Sequence, residues 1–435
     1  MTVLEDAKRL QPHLTALRRE LHRYPETSMN ERETAARIVK ELEEIGGYGI
    51  RCGISGGYGI LAELSGAKPG KLVALRADMD ALSVTEETGL PYASEHPGVM
   101  HACGHDNHMA MLLGAARLLR ERQSEIRGGV RLIFQPAEEN APVGGAAGMI
   151  AGGALEGVDA VFGMHVWPNL PLGKLGVRDG AQMAASDHYY IRIEGAPSHG
   201  AQPHQGTDAL IAGAQFVSAV QTIISRNRDP LQAAVLTIGV FHAGSRYNIV
   251  PGSCEMEGTC RSYDPALRAL CERRLRELLD GICAAYGCKG TLTYERGYSA
   301  LRNDAAMAAY MRRTQEKLFG TGSALQPENP AMTAEDFSFY AEQVPAAFGW
   351  IGTTPEGDKV WPLHSSRYAP DEDVLWRGAA CFAQLVLDFE SEETQKEAIS
   401  CGAAGMRCAH EGFFRPEQSS AESRAEGGAD GGENS

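Results

Sequence analysis

The chain has 435 residues, of which 43% are hydrophobic and 22% charged, and its formal net charge at pH 7 is -15. This length exceeds what one hydrophobic core normally supports, so two domains are expected. The acidic balance argues against nucleic acid as a partner, and no apolar run is long enough to predict a membrane-spanning helix, so no membrane partner is expected either.

The first residues lack the basic and then apolar layout of a secretory signal. They begin an amphipathic pattern that predicts a helix running through Leu21, and a second helical pattern covers residues 31–45. Ten cysteines are scattered without regular spacing, which is typical of reduced thiols rather than of a disulfide framework. The sequence therefore predicts a cytoplasmic protein.

Three apolar runs, at residues 71–80, 129–139 and 159–165, carry proton-binding or metal-binding side chains near their ends. Those side chains are Asp78, Asp80, Glu138, Glu139 and His165. Helical patterns at 109–122 and about 145–155 lie between the runs, so an α/β sheet is predicted. Such sheets collect ligands at the carboxyl ends of their strands, which would bring the side chains together.

Residues 100–108 (MHACGHDNH) hold a thiol, three imidazoles and a carboxylate. Cys103 and His105 lie two apart across a glycine and can face one point, where a thiolate and a neutral imidazole would bind a borderline metal such as zinc. A helix is predicted to follow, with Asp106 or Asn107 as its cap. The alternative is a reduced core cysteine beside surface histidines. A structural zinc site is less favoured because a second paired set such as CxxC is absent.

From about residue 180 the pattern changes to a smaller α+β block. Strands are predicted at 189–193, 234–240 and 253–260, and helices at 207–226 and 265–286. A helical pattern then resumes from about 298 to 318, and a last helix is predicted at 375–387. Residues 391–435 are poor in apolar positions and are predicted to be disordered, and no metal role is expected for Cys401, Cys408 or His410 in that tail.

The adjacent pair Glu138 and Glu139 indicates hydrolysis rather than a structural metal. A structural metal needs ligands only, whereas hydrolysis needs a ligand and a base. Glu139 can hold a metal while Glu138 accepts a proton from water. The alternative interpretation of the pair is a solvated helix start.

Five motifs resemble one known family. The chain is similar to the aminoacylase and carboxypeptidase-like family of dinuclear metallohydrolases, and most to the branch that holds hippurate hydrolase, N-acetyldiaminopimelate deacetylase and the plant hydrolases of auxin-amino acid conjugates. The similarity spans about residues 10–390. The motifs are RADMDAL (76–82), MHACGHDNH (100–108), QPAEE (135–139), GMHVWP (163–168) and EDFS (335–338).

This resemblance implies a site for two divalent metal ions, Mn²⁺ or Zn²⁺ with Co²⁺ or Ni²⁺ as further options. Glu138 matches the general base, and Asp80 matches a carboxylate that orients a ligand. Asn248 and Arg261 match positions that meet the substrate, and the Arg261 guanidinium suits a carboxylate. The implied metal ligands are Cys103, His105, Glu139, His165 and His364.

The resemblance also implies a metal-binding catalytic domain (1–182 and 296–390) with a mixed, mostly parallel sheet, interrupted by a smaller α+β lid (183–295) that forms a homodimer. His199 would reach from one lid into the partner's site and stabilise the oxyanion. Pro197 and Ser198 precede it where two glycines are common in the family, so a buried lid histidine is the alternative.

The sequence therefore predicts a metal-dependent amidohydrolase that cleaves N-acyl amino acids or similar small conjugates. Two alternatives remain open. Dipeptidase or carboxypeptidase-type hydrolysis could use the same residues, because fold likeness does not decide the substrate. A non-catalytic metal-dependent binding protein could share the fold, although such a protein would not need Glu138 beside Glu139, nor Asp80.

Overall fold

The computed structural model describes residues 2–389. The predicted disordered tail, with Cys401, Cys408 and His410, lies outside the described residues. Within residues 2–389, no helix is both long and apolar enough to cross a membrane. The helices are α1 (Val3–Arg23), α2 (Arg32–Ile45), α3 (His105–Glu121), α4 (Ala146–Ala151), α5 (Ala209–Thr222), α6 (Pro265–Tyr286), α7 (Ala305–Phe319), α8 (Ser338–Ala341) and α9 (Val374–Asp388).

The strands form a large sheet, a smaller sheet and two short ribbons. The strands are β1 (Gly49–Ile54), β2 (Gly59–Ser65), β3 (Lys68–Asp78), β4 (Arg127–Gln135), β5 (Ala160–Pro171), β6 (Leu175–Gly176), β7 (Gly180–Met183), β8 (Ala185–Glu194), β9 (Ser198–His199), β10 (Ala234–Ala243), β11 (Ile249–Val250), β12 (Ser253–Ser262), β13 (Lys289–Arg296), β14 (Leu301–Asn303), β15 (Ala324–Leu325) and β16 (Ala346–Thr354).

The large sheet has eight strands in the order β1-β2-β4-β3-β5-β16-β6-β15. Its four central strands, β4, β3, β5 and β16, are parallel, while β2 pairs antiparallel with β4 and β6 pairs antiparallel with β16. The central strands are buried over long stretches because helices cover both faces, which explains their continuous apolar runs. The expected α/β class with a mixed, mostly parallel sheet is confirmed.

Helices α3 and α9 pack on one face of this sheet, α1 packs against both of them, and together they form the main core. Helix α3 is apolar and buried on nearly every side, as expected of a helix enclosed by other elements. Helices α4 and α8 cover the opposite face, where Met149, Phe337 and Phe348 belong to a second core. The carboxyl ends of the parallel strands β3 and β4 therefore lie at the same edge of the large sheet, which is held between two layers of helices.

The smaller sheet has four antiparallel strands in the order β10-β12-β8-β13. Helices α5 and α6 pack on one face, where Phe216 and Leu275 meet Ile191 of the sheet. The chain enters this four-stranded unit (residues 185–296) after β7 and leaves it before β14, and β7 and β14 pair with each other. The predicted α+β block is thus present.

Four local expectations need correction. Helix α3 begins at His105, and its N-cap is Gly104, because Asp106 lies inside the first turn and pairs with Arg18 and His22. Residues 301–303 form a strand, so α7 begins later than predicted. His165 lies within β5 rather than at its end. The buried central strand β16 had no counterpart in the predicted elements.

Candidate metal centre

Gly104 brings Cys103 and His105 to one point. Its φ of 90° lies in the left-handed region, and a Cβ there would approach Val166 Cγ2 to 2.4 Å. A side chain at this position would therefore be both strained and obstructed. The glycine lets the chain turn directly into α3, with Cys103 7% exposed and His105 fully buried.

Cys103, His105 and His165 form one group of candidate ligands, whose donor atoms all lie within 4.8 Å of one another. His165 Nε2 is 3.3 Å from Cys103 Sγ, and its Nδ1 is 2.6 Å from the Val166 carbonyl oxygen. A carbonyl only accepts, so Nδ1 donates and Nε2 keeps a lone pair directed at the thiol. This tautomer suits a metal ligand.

Cys103, Glu139 and His364 form a second group within the same 4.8 Å limit, and His105, Glu138 and Glu139 form a third. His364 Nε2 lies 3.1 Å from Glu139 Oε1. The His364 backbone has a φ of 66°, and its N–H donates to the Ala102 carbonyl. The three groups share Cys103, His105 and Glu139, so their donor atoms adjoin one another.

The donors fit divalent cations. His105 Nε2 is buried and has no hydrogen-bond partner among the described residues, which is costly unless another group satisfies it. Burial and the nearby Glu139 and Glu138 carboxylates hold the pKa of Cys103 well above its usual range. A thiol, imidazoles and a carboxylate form a donor set suited to zinc and similar metals. A cation would offset the excess negative charge here.

Asp80 organises the loop that carries the two glutamates. Its carboxylate accepts the backbone N–H groups of Glu138 (3.1 Å) and Glu139 (2.9 Å), and the Ser28 hydroxyl at 2.6 Å. His105 Nδ1 lies 3.2 Å from the same carboxylate. Burial raises the pKa of Asp80, but the bonds from His105 and Ser28 outweigh it, and the pKa is lowered. Asp80 thus fixes one candidate ligand and the candidate base together.

Glu138 is 7% exposed, and its carboxylate lies within 4.8 Å of those of Glu335 and Asp336. Burial and the charges of Glu335 and Glu139 hold the pKa of Glu138 well above its usual range. Ala137, just before it, has a φ of 58°, and its N–H donates to Glu31 at 2.8 Å. This sharp turn directs Glu138 and Glu139 towards the same cavity.

The sequence indicated no individual role for Arg76. Its side chain lies beneath the candidate metal centre and holds three acidic side chains there. Its guanidinium is 1% exposed and contacts Asp78 (2.6 Å), Glu335 (3.0 Å) and Asp336 (2.8 Å). The sequence signal for Arg76 was its position inside an otherwise apolar strand. A buried charge needs partners, so this position predicts acidic side chains nearby.

His108 also received no specific role from the sequence. Its Nδ1 is 2.6 Å from Asp78, and its Nε2 accepts the Val166 N–H at 2.9 Å. Val166 in turn accepts the bond from His165 Nδ1. His108 therefore helps to fix the strand segment that orients His165.

A cavity of about 350 Å³ opens above these groups. Trp167, Met183 and Leu363 supply an apolar wall, while Arg261 of β12 lies at the four-stranded side. A concave, partly apolar space of this size with convergent polar groups is typical of a site for a small molecule.

His199 and Asn248 do not line this cavity within one chain. His199 is exposed and lies in the ribbon formed by β9 and β11, where its Nδ1 accepts the Ala201 N–H at 3.0 Å. The Asn248 carbonyl accepts the Gly200 N–H at 2.8 Å. The alternative of a buried lid histidine does not fit the exposure of His199.

The sequence model of Peptidase family M20/M25/M40 matches residues 74–388. The N-acetyl-L-cysteine deacetylase of Bacillus subtilis is 42% identical over 84% of this chain and 85% of its own. The N-acyl-L-amino acid amidohydrolase of Geobacillus stearothermophilus is 42% identical over 69% of this chain and 81% of its own. The crystal structure of the Bacillus subtilis YxeP protein, a dinuclear metal binding peptidase from the M20 family, has a TM-score of 0.76, 35% identity, and coverage of 87% and 98%.

Proposed function

The chain belongs to Peptidase family M20/M25/M40, and on that premise we propose that it is a metal-dependent amidohydrolase that cleaves the amide bond of N-acyl amino acids. The observation that carries the proposal is the placement of Glu138 beside Glu139 at one cavity, both held by Asp80. Carboxypeptidase-type hydrolysis is not favoured, since the two relatives at 42% identity are named for removing acyl groups.

The fold is that of a dinuclear metal-binding peptidase, and the groups of candidate donors support a site for two ions. We assign Cys103, His105, Glu139, His165 and His364 as the ligands. These residues would hold two cations, which, when bound, would polarise the amide carbonyl and lower the pKa of water. Manganese or zinc is the proposed metal, with cobalt or nickel as substitutes, and the soft Cys103 ligand favours zinc.

Glu138 is proposed as the proton carrier. Its carboxylate takes a proton from the attacking water, whose oxygen forms a new bond to the amide carbon. As the carbon–nitrogen bond breaks, the protonated Glu138 gives that proton to the nitrogen, so a carboxylic acid, which keeps the second proton of the water, and an amine leave. Burial keeps other water away from Glu138 and strengthens its interaction with the reacting atoms.

The cavity suggests how the substrate is held. The apolar wall fits a hydrophobic part of the substrate, while Arg261 supplies a guanidinium for the free carboxylate of the amino acid. We propose that Asn248 also contacts the substrate, although it reaches no cavity atom within one chain.

We further propose that residues 183–295 form a lid between the two parts of the catalytic domain, 1–182 and 296–390, and that two lids form a homodimer. The exposure of His199 agrees with a role in the partner subunit, where its imidazole would stabilise the oxyanion. A cytoplasmic location remains the proposal, and it is supported by eight free cysteines among the described residues.

The test is amine release from N-acetyl, N-benzoyl and N-indoleacetyl amino acids and from dipeptides. Metal-stripped protein reloaded with manganese or zinc is compared with Glu138→Gln, and Glu44→Gln, at an exposed position, is the matched control. We expect metal-dependent cleavage that only the first variant loses. Unchanged cleavage by Glu138→Gln would contradict the mechanism, and two bound metals with no cleavage of any substrate would favour the binding-protein alternative.

A further inference from the structure

Tyr298 connects the four-stranded unit to Glu138. It lies just after β13, where the chain returns to the large sheet, and is 3% exposed. Its hydroxyl donates to the Glu138 carbonyl at 2.6 Å, while its ring borders the cavity and meets Phe339 edge-on at 5.9 Å. Nothing in the hydrolytic mechanism above uses this residue.

The backbone of Glu138 is therefore held from two sides. Its N–H donates to Asp80, at the end of the large sheet, and its carbonyl accepts from Tyr298. Two such bonds fix the direction of the Glu138 Cα–Cβ bond and so limit the region that its carboxylate can reach. Removing the hydroxyl would release one of the two restraints.

The chain packs closely at this junction. A Cβ on Gly144 would lie 3.0 Å from the Tyr298 hydroxyl, and a Cβ on Gly297 would lie 2.4 Å from the Ser186 carbonyl oxygen. The Ser186 N–H donates to the Tyr298 carbonyl at 2.9 Å. The entering and leaving strands are thus bonded to each other beside the Glu138 loop.

A buried ion pair fixes the same turn from the side of the four-stranded unit. Asp187 of β8 accepts from Arg268 Nε of α6 at 2.9 Å, from the Tyr294 hydroxyl at 2.7 Å and from the Gly297 N–H at 3.3 Å. Arg268 Nη2 donates to the Gly297 carbonyl at 2.9 Å. The residue that precedes Tyr298 is therefore held at both its N–H and its carbonyl.

We propose that Tyr298 is a positioning residue that sets the orientation of Glu138, and that the Asp187–Arg268 pair acts on Glu138 through it. The inference rests on the role of Glu138 proposed above. With this arrangement, the rate of the chemical step depends on how the Asp187–Arg268 pair of the four-stranded unit holds Tyr298. The metal ligands are not changed.

The first test compares Tyr298→Phe with Tyr310→Phe. Tyr310 is an equivalent control, because it is also 3% exposed and its hydroxyl donates to the Leu385 carbonyl at 2.7 Å, in the core of the large sheet. We expect kcat to fall about 10- to 100-fold in Tyr298→Phe alone, as misplacement of a catalytic group does, with KM within about twofold and metal content unchanged.

A kcat of Tyr298→Phe equal to that of Tyr310→Phe would overturn the inference. So would a loss of activity that follows a loss of bound metal, because the hydroxyl would then support ligation rather than the base. If Glu138→Gln stays active, the proposed function itself fails. If Glu138→Gln is inactive and Tyr298→Phe matches its control, only the positioning role fails.

The second test measures coupling. Arg268→Lys keeps a positive charge but loses the guanidinium that joins Asp187 to Gly297, and Arg274→Lys on the same helix is the control. If Arg268 acts through Tyr298, the variant that combines Arg268→Lys with Tyr298→Phe should have a kcat within about twofold of that of Tyr298→Phe alone. The effects of coupled residues do not add. Additive losses would overturn the proposed path.

Discussion

The two sheets differ in what they contribute to the site. The eight-stranded sheet is covered on both faces and, with the loops at its edge, carries the candidate ligands and Glu138. The four-stranded unit has its core on one face only and supplies no candidate ligand, but it supplies Arg261 at the cavity and leads into Tyr298. With the roles proposed above, the doubly covered sheet would supply the chemistry, whereas the four-stranded unit would supply substrate contact and fine positioning.

The strongest test of this contrast removes the buried Arg76 from β3 and the partly buried Arg268 from α6, the helix that packs on the four-stranded sheet. Arg76→Met leaves Asp78, Glu335 and Asp336 buried without their guanidinium, and the free energy of unfolding should fall by about 3–5 kcal/mol. Arg268→Met should lower it by about 1–3 kcal/mol, because Asp187 keeps the Tyr294 hydroxyl.

Urea denaturation of both variants measures these changes. If Arg76→Met does not fold, Arg76→Lys, which retains the positive charge, is measured in its place. Equal losses in the two arginine variants would show that the two sheets do not differ in this respect.

Metal removal should affect the two regions differently. Saturating manganese or zinc at about 100 times its Kd should stabilise the stripped protein by about 2.7 kcal/mol. In hydrogen exchange at short times, protection should increase at residues 100–108 and 135–139, while α6 should be unchanged. Equal protection of α6 would mean that the two regions respond to metal as one unit.

Asp80→Asn should weaken metal binding by about 10- to 100-fold, because it loses the charge beside His105 and one acceptor of the Glu138 loop. Titration of stripped protein with zinc measures this change. Asp280→Asn, at an exposed position of α6, should bind metal like the parent chain. An unchanged affinity in Asp80→Asn would remove its orienting role.

Arg261→Gln tests the contribution of the four-stranded unit. We expect KM for an N-acyl amino acid to rise about tenfold, the effect of losing one charged hydrogen bond, with kcat nearly unchanged. The matching N-acyl amino acid amide, which has no carboxylate, should show no such rise. Arg192→Gln, exposed on the four-stranded sheet, is the control. A similar rise for both substrates would argue against carboxylate recognition.

Local pattern predicted the parts of the molecule whose causes are local. Cys103 and His105 lie only two positions apart in the sequence, and the apolar runs that form β3 and β4 are visible in the sequence alone. The apolar residues of β16 were an equally clear signal that was not used, since a continuous buried run without charges predicts a central strand.

The remaining features depend on contacts across the chain. Arg76 meets Glu335 across 259 positions, and Tyr298 meets Glu138 across 160, so neither pairing is visible in a short window. The predicted cap of α3 was wrong for a related reason. Asp106 is a good N-cap residue by local criteria, but its carboxylate pairs with Arg18, which is distant in the sequence. The position of His199 in a dimer remains a prediction.

The bond between Ser186 and Tyr298 has an evolutionary consequence. Because Ser186 bonds to Tyr298, two positions past residue 296, the two ends of residues 185–296 lie close together, and the unit resembles an insertion into one loop of the domain of the large sheet. Insertions with adjacent ends are exchanged readily, since the host fold need not move. Descendants of this gene can thus acquire new substrates by remodelling the insert, provided that each replacement still holds Gly297 and so keeps the Tyr298 hydroxyl at the Glu138 carbonyl.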